Sequence, residues 1–181
     1  MGHSLGGLVA ALAAARAPVP WSGLILLSPA IDVELTCDLW CQSLFAGCLN
    51  CLVPSFRIVA AVRDEDLSKE PAVVAAWKAN PLNIPGPLTI RISYAGLLAF
   101  EELKKLPPCS VPLLVIHGLA DKCTSFKASE AFVARAQAKD KKFVGLPNVR
   151  HMLFHEPEKE KAISEVEAWI LARGATTTKY T

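Results

Sequence analysis

Apolar and polar positions along this chain fall into blocks, and the length and period of each block predict its element. Leu5 to Arg16 is rich in Ala and Leu, both good helix formers, and the Ala17-Pro18 step predicts the helix end. Gly23 to Ser28 and Val111 to His117 are continuous apolar runs without alternation, as strands buried on both faces are. Lys142 to Leu146 is a weaker run of the same kind. Between the second and third runs, Ser125 to Ala138 carries an Ala-rich helical pattern. After the third, Glu158 to Ala172 places Ala162, Ile163, Val166, Trp169 and Ile170 on one side, with Gly174 where a C-cap glycine belongs. Strands alternating with helices predict an α/β fold with a parallel sheet.

One interval breaks the alternation. From about Val33 to Pro108 there is no convincing strand, only helical stretches separated by Pro and Gly: Cys37 to Leu52, Pro71 to Lys78 and Tyr94 to Leu106. An insertion of that size between two sheet strands predicts a helical cap over the carboxyl edge, where ligands bind in α/β sheets.

Composition narrows the picture. The chain has 181 residues, and its 52% hydrophobic content argues for a packed domain over a disordered one. With 19 basic against 17 acidic side chains and no basic block, nothing in the charge favours a nucleic-acid partner. The longest apolar runs, such as Leu8 to Ala15, are too short to span a bilayer.

Four of the six cysteines, Cys37, Cys41, Cys48 and Cys51, fall on one helical face at about 100° per residue. They predict an apolar stripe, buried or facing lipid, because thiols spread over about 21 Å of one helix cannot surround a single ion.

The strongest chemical signal opens the chain: Gly2-His3-Ser4-Leu5-Gly6, followed by Gly7. A G-x-S-x-G at a strand-to-helix turn lifts the serine hydroxyl above the sheet, and the backbone N–H of Leu5 becomes an expected oxyanion donor. A nucleophilic serine needs a base, and the base needs an orienting carboxylate. Asp121 follows the strand ending at His117 and His151 follows the last strand. They lie 117 and 147 residues beyond Ser4, in the order Ser, acid, His. His155 lacks a His-Glu-x-x-His partner pattern and reads as structural. His3 and His117 flank turns and read as packing or hydrogen-bonding groups, and Glu101, Glu102, Lys104 and Lys105 as a solvated helix face. Cys123, two residues after the candidate acid, reads as a small buried side chain or an oxidation-sensitive neighbour of the site.

Several stretches together resemble the monoacylglycerol lipase and lysophospholipase group of the α/β-hydrolases, also known under the serine aminopeptidase S33 name. They are Gly2-His-Ser-Leu-Gly-Gly7, Leu26-Leu-Ser-Pro29, Leu67-Ser-Lys, Asn80-Pro-Leu82, Val111 to Gly118 with Ala120-Asp121-Lys122, and His151-Met-Leu-Phe-His-Glu156. The resemblance implies Ser4 as nucleophile, His151 as general base, Asp121 as its orienting acid and Leu5 as a backbone oxyanion donor. It implies neither cofactor nor metal. It further implies a single-acyl-chain lipid ester as substrate, bound under a cap that carries Leu44, Phe45, Leu49, Leu52, Val53 and Phe56, in a cytoplasmic protein that touches membranes peripherally. A cap that merely packs on the sheet fits the same residues.

On this reading residues 1–32 and 109–174 form part of an α/β-hydrolase core, 33–108 the helical cap and 175–181 a frayed tail. The expected chain is a fragment that lacks the strands ahead of the elbow and their His-Gly oxyanion loop, with Met1 ending the strand that leads into the elbow. Before the base, Pro147-Asn-Val-Arg150 stands where the family has a Glu-Gly pair. A catalytically inactive remnant that binds a lipid or protein partner, or a peptidase or small-ester hydrolase of the same superfamily, are the alternatives.

Overall fold

The computed structural model describes residues 1–16, 20–32, 37–59 and 62–174, with the side chains of 37–43 and 59 outside that description. In chain order the elements are β1 (Gly2–His3), α1 (Leu5–Arg16), β2 (Leu24–Leu27), α2 (Cys37–Leu52), β3 (Arg57–Val59), α3 (Pro71–Ala79), β4 (Leu88–Thr89), α4 (Ile90–Lys105), β5 (Leu113–Gly118), α5 (Phe126–Arg135), β6 (Lys141–Leu146) and α6 (Lys159–Gly174). The expected tail at 175–181 and the Ala17-Pro18 step lie outside the described residues.

Four strands form a parallel sheet in the order β1-β2-β5-β6. Every residue of β2 and β5 is buried, which is why both read as unbroken apolar runs. Side chains alternate across the sheet. Leu24, Leu26, Leu113 and Val115 pack with α1, α5 and Leu103 of α4. Ile25, Leu27, Leu114 and Ile116 pack with Ala162, Val166 and Trp169 of α6. A fully buried Leu or Ile contributes about 1.5–3 kcal/mol, so these two layers supply most of the cohesion. The chain leaves all four strands at one edge, which gathers Ser4, Ser28, Asp121 and His151 at the carboxyl end of the sheet.

The helices begin where their caps dictate. Thr89 Oγ1 accepts from the Ile92 amide at 3.3 Å, so α4 starts four residues before the expected Tyr94. Ser125 caps α5 by accepting from Ala128 N at 3.2 Å. At the far end of α5, Lys141 Nζ donates to the carbonyls of Val133, Ala134 and Ala136, a cation on the negative helix terminus.

Some expectations are corrected. The interval from Val33 to Pro108 does contain strands, because β3 and β4 pair antiparallel through Arg57 with Thr89 and Val59 with Leu88. Segments of three and two residues are too short to show a period. Gly174 belongs to α6 and has no left-handed backbone, so it does not cap the helix. Ile170 is half exposed, and the buried face of α6 is narrower than its apolar pattern. The strand leading into the elbow runs through His3, beyond Met1.

On α2 and the turn that follows it, Leu44, Phe45, Leu52, Val53 and Phe56 are 43–78% exposed, so they do not pack on the sheet. Cys48 and Cys51 are exposed beside them, which leaves the lipid-facing form of the expected stripe and not the buried one, and the Cys37 and Cys41 side chains lie outside the described residues. On α4, Glu102 pairs with Arg16, and Lys104 with Glu101 and Asp32, in keeping with a solvated face.

Candidate active site

The turn from β1 into α1 is built around steric limits. Ser4 has φ 52°, a left-handed conformation unusual for a side-chain-bearing residue and found where the surrounding structure over-determines it. Three backbone bonds do so here: Ser4 N donates to Leu27 O at 3.1 Å, while Gly7 N and Ala30 N both donate to Ser4 O at 2.9 Å. A Cβ on Gly2 would stand 2.3 Å from Gly6 O, so only glycine fits before the turn. The second glycine of the motif, Gly6, faces open space. It is Gly7 that allows close packing, its missing Cβ falling 2.5 Å from that of Pro29. Leu5 N–H heads α1 among the amides a helix leaves without an internal acceptor.

Asp121 and His151 meet across the edge of the sheet. His151 Nδ1 lies 2.8 Å from Asp121 Oδ2, and the carboxylate is fully buried. Its other oxygen, Oδ1, accepts from Cys123 N at 2.7 Å and Thr124 N at 3.1 Å. Oδ2 also accepts from Thr124 Oγ1 at 2.9 Å and has His117 Nε2 at 3.3 Å. Burial by itself would raise this carboxyl. The hydrogen bonds from His117 and His151 outweigh burial and hold it far below the usual carboxylate range, so Asp121 is an anion.

Of the sequence-predicted residues, Asp121 and His151 are joined directly. Among the described residues no hydrogen bond joins Ser4 Oγ to His151. The elbow meets the base through His3, whose Nε2 lies 3.1 Å from His151 O and whose ring centroid stands 4.7 Å from the His151 ring. Burial first, and the neighbouring His151 second, hold the His3 ring below the ordinary histidine value, so it is neutral at pH 7. His117 is wholly buried and hydrogen-bonded, in keeping with its expected role, and His155 is exposed.

Sequence reasoning missed two features. Glu156 is 1% exposed and ties the His151 loop to the stretch before α3: Oε1 accepts from Lys69 N at 2.8 Å and Oε2 from Arg150 N at 3.4 Å. The same seam is closed by Met152 N donating to Leu67 O at 2.9 Å and by the Arg150 guanidinium on the carbonyls of Glu65 and Ser68. The signal available was a lone carboxylate in the apolar run Met152-Leu-Phe-His-Glu156. The second feature is Thr124, whose hydroxyl and amide both serve Asp121.

Cys123 Sγ lies within 4.8 Å of ligand atoms of both Asp121 and His151. Both Asp121 oxygens are already engaged by protein donors. Burial, Asp121 and Asp66 push the Cys123 thiol up to about 12, so the thiolate a metal would need is suppressed. Iodoacetamide at pH 8 is therefore expected to modify the exposed Cys48 and Cys51 well before Cys123, read by peptide mass spectrometry over time. Equal rates at the three sites would contradict this.

Residues 1–158 match the family described as serine aminopeptidase, S33. The chain is 29% identical to a monoacylglycerol lipase of Mycolicibacterium smegmatis, covering 95% of this chain and 61% of that protein. It is 27% identical to the human monoglyceride lipase, over 97% of this chain and 59% of the relative. In fold it is similar to the monoacylglycerol lipase of Paleococcus ferrophilus, with a TM-score of 0.81 at 23% identity, covering 93% of this chain and 66% of that one. A soluble variant of monoglyceride lipase from Saccharomyces cerevisiae, in complex with a substrate analogue, gives a TM-score of 0.78 at 22% identity, covering 95% and 64%. The chain thus spans about three-fifths of the length of the curated relatives it matches.

Proposed function

Because the chain belongs to the serine aminopeptidase S33 family of α/β-hydrolases, we propose that it carries the catalytic groups of a serine ester hydrolase acting on monoacylglycerol or another single-chain lipid ester. The observation that carries this reading is the buried Asp121–His151 hydrogen bond of 2.8 Å beside an elbow serine held at φ 52°. Ser4 Oγ attacks the ester carbonyl while His151 Nε2 takes its proton. Asp121 holds Nδ1–H and stabilises the imidazolium that forms. The Leu5 N–H stabilises the oxyanion. The proton returns from His151 to the leaving alcohol, an acyl-Ser4 remains, and water activated by the same histidine releases the fatty acid.

The exposed apolar side of the cap, with Leu44, Phe45, Leu52, Val53 and Phe56, supports a peripheral contact with a lipid surface. No helix among the described residues is long and apolar enough to cross a membrane.

The test is a fluorophosphonate probe followed by peptide mapping, with parallel assays of monoacylglycerol, lysophospholipid, short esters and peptide amides. The expected adduct sits on Ser4, and monoacylglycerol is the preferred substrate. A folded chain that stays unlabelled would overturn the hydrolase reading. Lipid binding that persists without labelling would mean that the chain is a non-catalytic lipid binder.

A further inference from the structure

Asp121 is gripped by two histidines, and the reaction as derived uses only one. His117 is fully buried on β5, with Nδ1 2.9 Å from Ser129 Oγ on α5. Its Nε2 faces Asp121 Oδ2 and Thr124 Oγ1, both at 3.3 Å. Counting protons settles the tautomer. An ionised carboxylate can only accept, and Thr124 has a single hydroxyl proton, which goes to Asp121 Oδ2 at 2.9 Å or Ser28 O at 3.2 Å. Neither partner has a proton to give to Nε2, so Nε2 carries one. In the neutral ring Nδ1 is then a lone pair, and the buried Ser129 hydroxyl donates to it.

We propose that His117, held as its Nε2–H tautomer by the Asp121 carboxylate, is a positioning residue that acts on His151 through the shared Asp121 oxygen. Oδ2 accepts from two imidazoles, so its charge is divided between them and the carboxylate is braced by a second donor besides His151. Without that brace, Oδ2 draws the His151 ring toward itself and away from the elbow. Displacements of that kind are costly, since about 1 Å of misplacement can lower a rate about 100-fold.

The inference rests on the reading of Asp121 and His151 as acid and base, and the experiment separates the two. Full-length chain labelled with ¹⁵N-histidine is compared as wild type, His117→Leu, His117→Gln and Ser129→Ala, by ring NMR and by the rate of fluorophosphonate labelling at Ser4. In the wild type, His117 shows a protonated Nε2 and a bare Nδ1. His117→Leu shifts the His151 Nδ1 proton to lower field, as a strengthened bond does, and slows labelling about tenfold. His117→Gln, which retains an N–H donor, restores most of both. Ser129→Ala frees the Nδ1 side of the His117 ring and should move the His151 Nδ1 proton in the same direction by a smaller amount, which keeps the inference testable if the leucine variant does not fold. A wild-type His117 protonated at Nδ1, or a folded His117→Leu with an unmoved His151 proton, overturns the proposal. A wild type that never labels overturns the hydrolase reading instead, and the ring spectra still decide the role of His117.

Discussion

Asp121→Asn is expected to lower turnover about 10⁴-fold in a chain that still folds. The reason lies in how the side chain is held. Cys123 N and Thr124 N both donate to Oδ1, at 2.7 and 3.1 Å, so an asparagine must turn its carbonyl to them. Its NH₂ then falls at the Oδ2 position, where it meets donors from Thr124, His117 and His151. His151 can accept that NH₂ only through a bare Nδ1, which moves the ring proton to Nε2, where a base must be empty. Fluorophosphonate labelling rates and ester turnover read this effect. A loss smaller than tenfold would mean that Asp121 does not orient the base.

The same variant changes how stability follows pH. The Asp121 carboxyl is lower in the fold than its unfolded value of about 3.9. Its contribution is therefore complete above about pH 4 and fades as pH falls below that toward the folded value. Asparagine does not titrate. The wild-type advantage in urea melts should be widest above about pH 4 and shrink at lower pH.

Gly118→Ala should be the most damaging small substitution at the sheet edge. A Cβ there would stand 2.3 Å from Val149 O and 2.6 Å from Arg150 O, both backbone atoms that cannot rotate aside. The loop carrying His151 would have to move, and with it the bond from Ala120 N to Val149 O, now 3.0 Å. Overpacking of this kind costs about 3 kcal/mol, or about 10 °C in Tm for a chain of this size. Calorimetry and Ser4 labelling should fall together. Gly6→Ala, which faces open space, is the control and should melt close to the wild type.

The sheet was legible because burial on both faces leaves His117 as the one polar position inside β2 and β5, and such runs have few other readings. The range of α2, Cys37 to Leu52, was legible too, since it follows from helical period and a closing proline. What escaped was whatever depends on a partner far away in sequence. β3 and β4 exist because Arg57 finds Thr89, and neither segment is long enough to carry a pattern. Among the candidate site residues, Asp121 and His151 could be placed from their positions after strands. The grip on Asp121 by Thr124 and His117 could not, since it depends on how the turn after β5 folds back. Glu156 is polar in composition and buried in fact, and it is the Lys69 and Arg150 amides, with the Lys69 ammonium 3.7 Å from Oε2, that explain it.

The seam between Leu67 and Met152 has a consequence for engineering. Residues 65–69 lie in the segment between β2 and β5, yet their backbone carbonyls anchor the loop that carries His151. The segment between β2 and β5 is thus not an exchangeable module: a chimera that receives another protein's segment there inherits its acid from the host and the anchorage of its base from the donor. Transplants that cut outside 65–69 and leave that stretch native should keep the base in register, whereas those that replace it alter chemistry along with selectivity.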